Sequence, residues 1–281
     1  MNLPEISQSA ILVLTCRAVE SEKNNPVFND PMAALCLERL LSISSEEEKK
    51  RILRWKSLYA GIQARDRKAR AKTARSFDSI ANLFISNHPG CTVINLACGL
   101  DTRFWRIENE KCKYIELDLP GMIELKREIL KDHLGYELIG CSVLDTSWID
   151  QVTSNGNSNF LLLAEGLFYY LPRQDVTGIL QAMAQRFDRS QLVFDMAPEK
   201  FTKELWKRLM QLEARVWGID VSFVFGMNNP RDIESYANGF KVLGVGKGSV
   251  GSIITVAINP DSQPLADGRR GLRPRPVDSA G

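Results

Sequence analysis

The sequence predicts an α/β protein, a doubly wound sheet of seven strands preceded by a helical N-terminal segment. Three observations carry this. Apolar residues recur at helical spacing through the first third of the chain, and strand-like and helix-like runs alternate from Cys91 to about Trp217. Two β-rich runs separated by glycines then close the pattern. At 281 residues, 44% apolar and 25% charged, the chain can bury its core as one large domain or two small ones without disulfide or metal staples.

From Ser7 to Glu20 the apolar residues Ala10, Ile11, Leu14 and Ala18 mark a first helix. Asn29-Asp30-Pro31 supplies a cap and a proline at the first helical position, and Met32, Leu35, Leu37, Leu40 and Leu41 follow. A third helix starts at Ser45, where Glu46, Glu47 and Glu48 suit the positive end of a helix dipole. With a break near Gly61 it continues through Arg65-Asp66-Arg67-Lys68-Ala69-Arg70 to about Ile85. That basic stretch reads either as a solvated helix face or as one or two cations placed over an anionic ligand.

Thr92 to Ala97 is a short apolar run of the kind a buried parallel strand shows. Lys113 to Asp118 is the second strand, with a helix from Pro120 through Leu130. The third strand is Tyr136 to Cys141, followed by a short helix near Trp148. Phe160 to Ala164 is the fourth, its helix beginning at Pro172, and Gln191 to Asp195 the fifth, its helix running from Pro198 to about Trp217. Phe240 to Val245 and Ser252 to Ile258 pair as a terminal hairpin. The Gly-, Arg- and Pro-rich stretch after Pro260 lacks apolar periodicity and reads as a disordered tail.

Composition removes several function classes. Thirty-six basic and 34 acidic residues leave a net charge of +2, so no broad field is available for coating nucleic acid. With only His88 and His133, a three-histidine zinc site is impossible and histidine-based triads are disfavoured; no metal site is expected. The six cysteines form no CxxC pair and read as reduced thiols. No signal-like segment and no apolar run of about 18 residues is present, so the expectation is a soluble, cytoplasmic protein without a membrane partner.

In a doubly wound sheet a ligand sits beyond the carboxyl ends of the strands, which directs attention to the residues just after each one. After the first strand, Gly99 either lets a ligand approach the backbone or serves a tight turn with no ligand at all. Asp101 or Thr102 can cap the next helix, and Cys98, with no base nearby, is a packing residue. After the second strand, Glu116 and Asp118 lie on one side, with Asp118 nearer the ligand-facing end. An acid about 20 residues past a glycine loop is where nucleotide-binding domains accept ribose hydroxyls. The other reading of Asp118 is a cap for the helix opened by Pro120.

VINLACGLDTRFWRI, followed by YIELDLPGMIELKREIL and LLLAEGLFYYLP, resembles the leucine carboxyl methyltransferase family of S-adenosylmethionine-dependent enzymes. The upstream SAILVLTCRAVESEKNNPVFNDPMA is similar to the first helices of the family's bacterial branch, which includes polyketide O-methyltransferases. WGIDVSFVFGMNNPRDIESY resembles its later segment. The likeness spans Ser7 to Ile258. It implies a class I methyltransferase (Rossmann-like) core over residues 89–259, an N-terminal helical cap over 1–88 and a tail over 260–281.

The same resemblance implies S-adenosyl-L-methionine as cofactor. Gly99 and Ala97 would approach its methionine end, Asp118 its ribose, Ser142 and Val143 its adenine, and Glu165 its amino group. Tyr170 aligns with an active-site tyrosine, though an aromatic lid over the core is the competing reading. The chain departs from the family in three places. Ala97 stands where glycine is usual, which is tolerable if its φ stays negative; Ser142 stands where an Asp is frequent; and the family's carboxylate-gripping arginine falls beside Thr73, leaving Lys72 or, with its planar fork, Arg75.

Methyl transfer needs alignment and desolvation more than acid–base help, and a carboxylate acceptor needs no base. The lack of histidine in the motifs fits an acid acceptor better than a phenol or alcohol. The expectation is an O-methyltransferase acting on a carboxylate or hydroxyl of a small polyketide-like molecule. The alternatives are a protein C-terminal carboxylate as acceptor, a nucleotide-binding oxidoreductase, and a lapsed member of the family that binds a partner.

Overall fold

A computed structural model of the chain describes residues 7–154, 159–219 and 222–261. Four helices come first: α1 (Ser7–Ser21), α2 (Pro31–Ile43), α3 (Glu46–Ala60) and α4 (Ala64–Asn87). Strands β1 (Thr92–Leu96), β2 (Lys113–Asp118), β3 (Glu137–Gly140), β4 (Phe160–Ala164) and β5 (Ser190–Met196) follow. They are interleaved with α5 (Pro120–Leu130), α6 (Ser147–Thr153) and α7 (Arg173–Arg186). After α8 (Glu204–Trp217) come β6 (Phe240–Lys247) and β7 (Ser252–Ile258), the last elements among the described residues.

The helix starts follow from their caps. Asp30 accepts from the Ala33 amide at 3.1 Å ahead of Pro31, and Ser45 and Glu48 form a reciprocal capping box. Gly61 ends α3, as the sequence predicts. Strand ends shift by one or two residues at β3, β5 and β6, and β1 stops at Leu96 because Ala97 takes a φ of +49°, which no strand accommodates. The helix expected from Pro198 is a single tight turn over Glu199–Thr202, and regular α-helix begins only at Glu204. The tail expected to be disordered falls, from residue 262 on, outside the described residues.

The strands form one sheet in the order β3-β2-β1-β4-β5-β7-β6, parallel except for β7, which runs antiparallel to both neighbours. β1 and β4 are wholly buried, which is why they read as unbroken apolar runs. Alternation divides the core. Ile94, Leu96, Leu162 and Phe194 pack with α6 and α7 on one face, while Val93, Leu161, Leu163 and Val193 meet Phe77, Ala81 and Phe84 of α4 on the other. Helices α1, α2 and α3 pack on one another, on α5 and on Leu100 of the loop after β1. The N-terminal helices therefore sit beside the carboxyl edge of the sheet. Among the described residues no helix is long and apolar enough to cross a membrane.

Candidate active site

The carboxyl ends of β3, β2, β1, β4 and β5 lie side by side, and the loop leaving β1 is bent by two left-handed residues, Ala97 (φ +49°) and Gly99 (φ +51°). The negative φ that would make alanine tolerable at position 97 is not observed; its Cβ is held in a region L-residues disfavour. The bend aims the Gly99 N–H at Asp118, whose Oδ2 accepts it at 2.7 Å, while Oδ1 accepts from the Leu119 N–H at 2.7 Å. Burial lifts the Asp118 carboxyl above the usual carboxylate range, and these two N–H groups offset only part of the rise. A Cβ on Gly99 would stand 3.1 Å from the Cβ of Ala10, so α1 closes directly over the loop.

Beneath this loop lies a buried ionic network. Arg103, with no exposed surface, contacts Asp78 at 2.8 Å, Asp101 at 2.7 Å and Glu165. Arg106 reaches Asp78 at 2.8 Å, Asp30 at 2.7 Å and Asp101 at 3.1 Å. From α1, Arg17 pairs with Asp101 and lies 3.6 Å from Glu165. Burial would raise the Asp101 carboxyl, but Arg103, Arg17 and Arg106 outweigh it and hold the group well below the usual range. Among the described residues, three guanidiniums thus pair with four carboxylates (Asp30, Asp78, Asp101, Glu165), an excess of one carboxylate. Glu165, 21% exposed against 12% or less for the other three carboxylates, carries the accessible end of that surplus.

On the β3 side, the Cys141 amide donates to the Asp118 carbonyl at 2.9 Å, placing Ser142 and Val143 next to Asp118. Trp148 Nε1 donates to the Val143 carbonyl at 3.2 Å and fixes that turn, and Leu119 and Leu144 are exposed along it. On the β5 side, Gly166 (φ +73°) turns its N–H onto Asp195 Oδ1 at 2.7 Å, and the Tyr169 hydroxyl donates to Oδ2 at 3.4 Å. Tyr169, Tyr170 and Phe223 form an aromatic group with centroids 4.3 to 5.5 Å apart, from which Tyr170 is 42% exposed.

Gly99, Asp118, Ser142, Val143 and Glu165 thus stand along one edge, with Tyr170 beyond Glu165. Arg75 does not join them: it is exposed on α4, and among the described residues it forms no ion pair. Neither reading of the basic stretch covers Arg67, which bonds both oxygens of buried Glu20 at 2.7 Å, while Arg65 and Lys68 are exposed. Glu116 is fully buried against Lys126, which leaves Asp118 as the acid of β2 free to face a ligand. Sequence patterns do not mark Arg17 or Asp195 as members of the edge. A lone arginine three residues past Leu14, on the apolar face of α1, is the available signal, because a cation there requires a buried partner.

The sequence profile of leucine carboxyl methyltransferases matches residues 10–184, well over half of the chain and all of the loops just described up to the turn after β4. The chain belongs to the leucine carboxyl methyltransferase family. As a member it is a methyltransferase. Tetracenomycin polyketide synthesis O-methyltransferase TcmP of Streptomyces glaucescens is 27% identical over 243 residues, 86% of this chain and 82% of its own. S-adenosyl-L-methionine-dependent methyltransferase dpfgK of Gibberella zeae is 27% identical over 252 residues, with the same shares. Leucine carboxyl methyltransferase 1 of Rattus norvegicus is 23% identical over 135 residues, 37% of this chain and 41% of its own. Within this family the order of the sheet, with its single antiparallel strand β7, is the class I methyltransferase arrangement.

Proposed function

We propose that this edge binds S-adenosyl-L-methionine and that the chain methylates an oxygen of a small, largely apolar organic molecule. The observation that carries the reading is the excess of carboxylates over guanidiniums among the described residues of the buried network, whose most accessible member is Glu165. An ammonium group is the ligand chemistry that neutralises it, and the cofactor carries one on its methionine end. Asp118 retains lone pairs for two ribose hydroxyls while holding the loop amides, and exposed Leu119 and Leu144 offer apolar surface beside Ser142 and Val143 for the adenine. Arg17, whose side chain reaches both Asp101 and Glu165, is better placed than Arg75 to meet the cofactor carboxylate.

When bound, S-adenosyl-L-methionine supplies a methyl carbon activated by the adjacent sulfonium. The residues of the chain orient and desolvate: α1 packs against the loop at Gly99, and the network holds Glu165 in one place. Tyr170, exposed and packed edge-on against Phe223, offers the aromatic surface that favours an apolar acceptor. The polyketide enzyme of Streptomyces supports a small molecule over a protein chain terminus, since it matches 86% of this chain and the leucine carboxyl enzyme 37%.

Incubation with methyl-labelled S-adenosyl-L-methionine and a cell extract, followed by separation of protein from metabolites, tests the reading. Label on a small molecule is expected. Label confined to a protein C-terminus overturns the acceptor class, and label on neither favours a lapsed enzyme.

A further inference from the structure

The strand ends succeed one another as β3, β2, β1, β4 and β5, and the proposed ligand contacts follow the same order: Val143, Asp118, Gly99, Glu165. The next position along the edge is the end of β5. There Asp195 is 9% exposed and stands between Glu165 and the aromatic group of Tyr169, Tyr170 and Phe223. Its environment is unlike that of the network acids. The titratable groups facing it are Glu165, Tyr169 and Tyr170. Its register partner on β7 is Ile253, flanked by Ser252 and Ile254, none of them charged, and among the described residues no cation forms an ion pair with it.

A buried carboxyl without a counter-ion is costly when ionised, and it repels a second carboxylate brought against it. A hydroxyl brings the opposite chemistry, a proton that the carboxylate can accept. The Tyr169 hydroxyl donates to Oδ2 at a long 3.4 Å and takes only one of its two lone pairs, so that oxygen keeps acceptor capacity. Resting on the reading of this edge as a methyl-transfer site, we propose that Asp195 is the proton acceptor for a phenolic or enolic hydroxyl, which is the oxygen this chain methylates in preference to a carboxylate.

As the acceptor oxygen bonds to the methyl carbon, its proton passes to Asp195 Oδ2. The methyl–sulfur bond breaks with its electron pair left on sulfur, and Asp195 then releases the proton to water. Burial, with Glu165 adding to it, lifts the Asp195 carboxyl to about 7, so the base would be half-ionised near neutral pH. Scarcity of histidine therefore does not disfavour a hydroxyl acceptor here, because the base is an aspartate that no sequence motif marks.

The test compares the wild-type chain with Asp195→Asn, which keeps an oxygen to accept the Gly166 N–H. Both proteins are first titrated calorimetrically with S-adenosylhomocysteine, and equal affinity is expected. If the wild type fails to bind it, the reading of the edge falls and this proposal falls with it. The two complexes are then titrated with 2-naphthol and with 2-naphthoate, flat probes that differ in the oxygen group offered. Wild type should bind 2-naphthol at least about tenfold more tightly than 2-naphthoate, and Asp195→Asn should lose that preference. Methyl transfer to 2-naphthol should rise about tenfold per pH unit below 7 and level off above it. In Asp195→Asn it should fall by about a hundredfold or more, and the slope should disappear. Cofactor binding with no 2-naphthol binding, tighter binding of 2-naphthoate, or an unchanged pH profile in the variant overturns the proposal alone.

Discussion

The backbone N–H of Gly99 donates to Oδ2 of Asp118 at 2.7 Å, so the loop after β1 and the end of β2 form one unit. Each holds the other in position at the carboxyl edge of the sheet, where the cofactor is proposed to lie. Removing the carboxylate therefore takes away the anchor of the loop together with the proposed ribose contact.

Asp118→Ala is expected to weaken S-adenosyl-L-methionine binding by roughly tenfold to a hundredfold, the equivalent of losing ~1.5–3 kcal/mol of charge-assisted hydrogen bonding. Calorimetry on protein whose circular dichroism matches wild type measures it. An unchanged dissociation constant would remove Asp118 from the site.

Arg17 and Arg75 make a paired test. Arg75→Ala alters an exposed residue and should leave both stability and affinity within experimental error of wild type. Arg17→Ala leaves Asp101 and Glu165 short of a cation. It should weaken cofactor binding more than tenfold and lower the thermal midpoint. The opposite ranking would return the carboxylate-gripping role to α4.

Ala97 carries a left-handed φ that costs an L-residue about 1–2 kcal/mol, while glycine in exchange costs about 0.5–1 kcal/mol of extra unfolded-state freedom. Ala97→Gly should then stabilise the protein by up to about 1 kcal/mol, seen as a thermal midpoint raised by roughly 1–3 °C. A lowered midpoint would mean that the methyl group packs more usefully than its backbone strain costs.

Asp101 has a folded-state pKa depressed below its unfolded value, so its contribution to stability is complete above about pH 4 and shrinks as pH falls below that toward the depressed value. Asp101→Asn should cost about 3–5 kcal/mol at neutral pH, because Arg17, Arg103 and Arg106 lose a common partner. Denaturant titrations at pH 7 and pH 3 check this, and the deficit of the variant should be smaller at pH 3. A deficit independent of pH would mark a packing defect and not the loss of a charge.

Strands, helix starts and the general line of the site were legible because their causes are local. The buried runs of β1 and β4, Pro31 and Pro120 at first helical positions, and Ser45 with Glu48 act within a few residues of themselves. The place of Asp118 and Glu165 at strand ends follows from the same local pattern. Folding alone set the partnerships. Arg17 meets Asp101 across 84 residues of sequence, and Thr102 donates to Asp30 across 72, pairings that no spacing encodes. The φ of Ala97 depends on where the loop must aim Gly99, and the isolation of Asp195 depends on which side chains stay away from it. A charge's behaviour is set by all its neighbours at once, and those neighbours converge only when strands distant in sequence lie side by side.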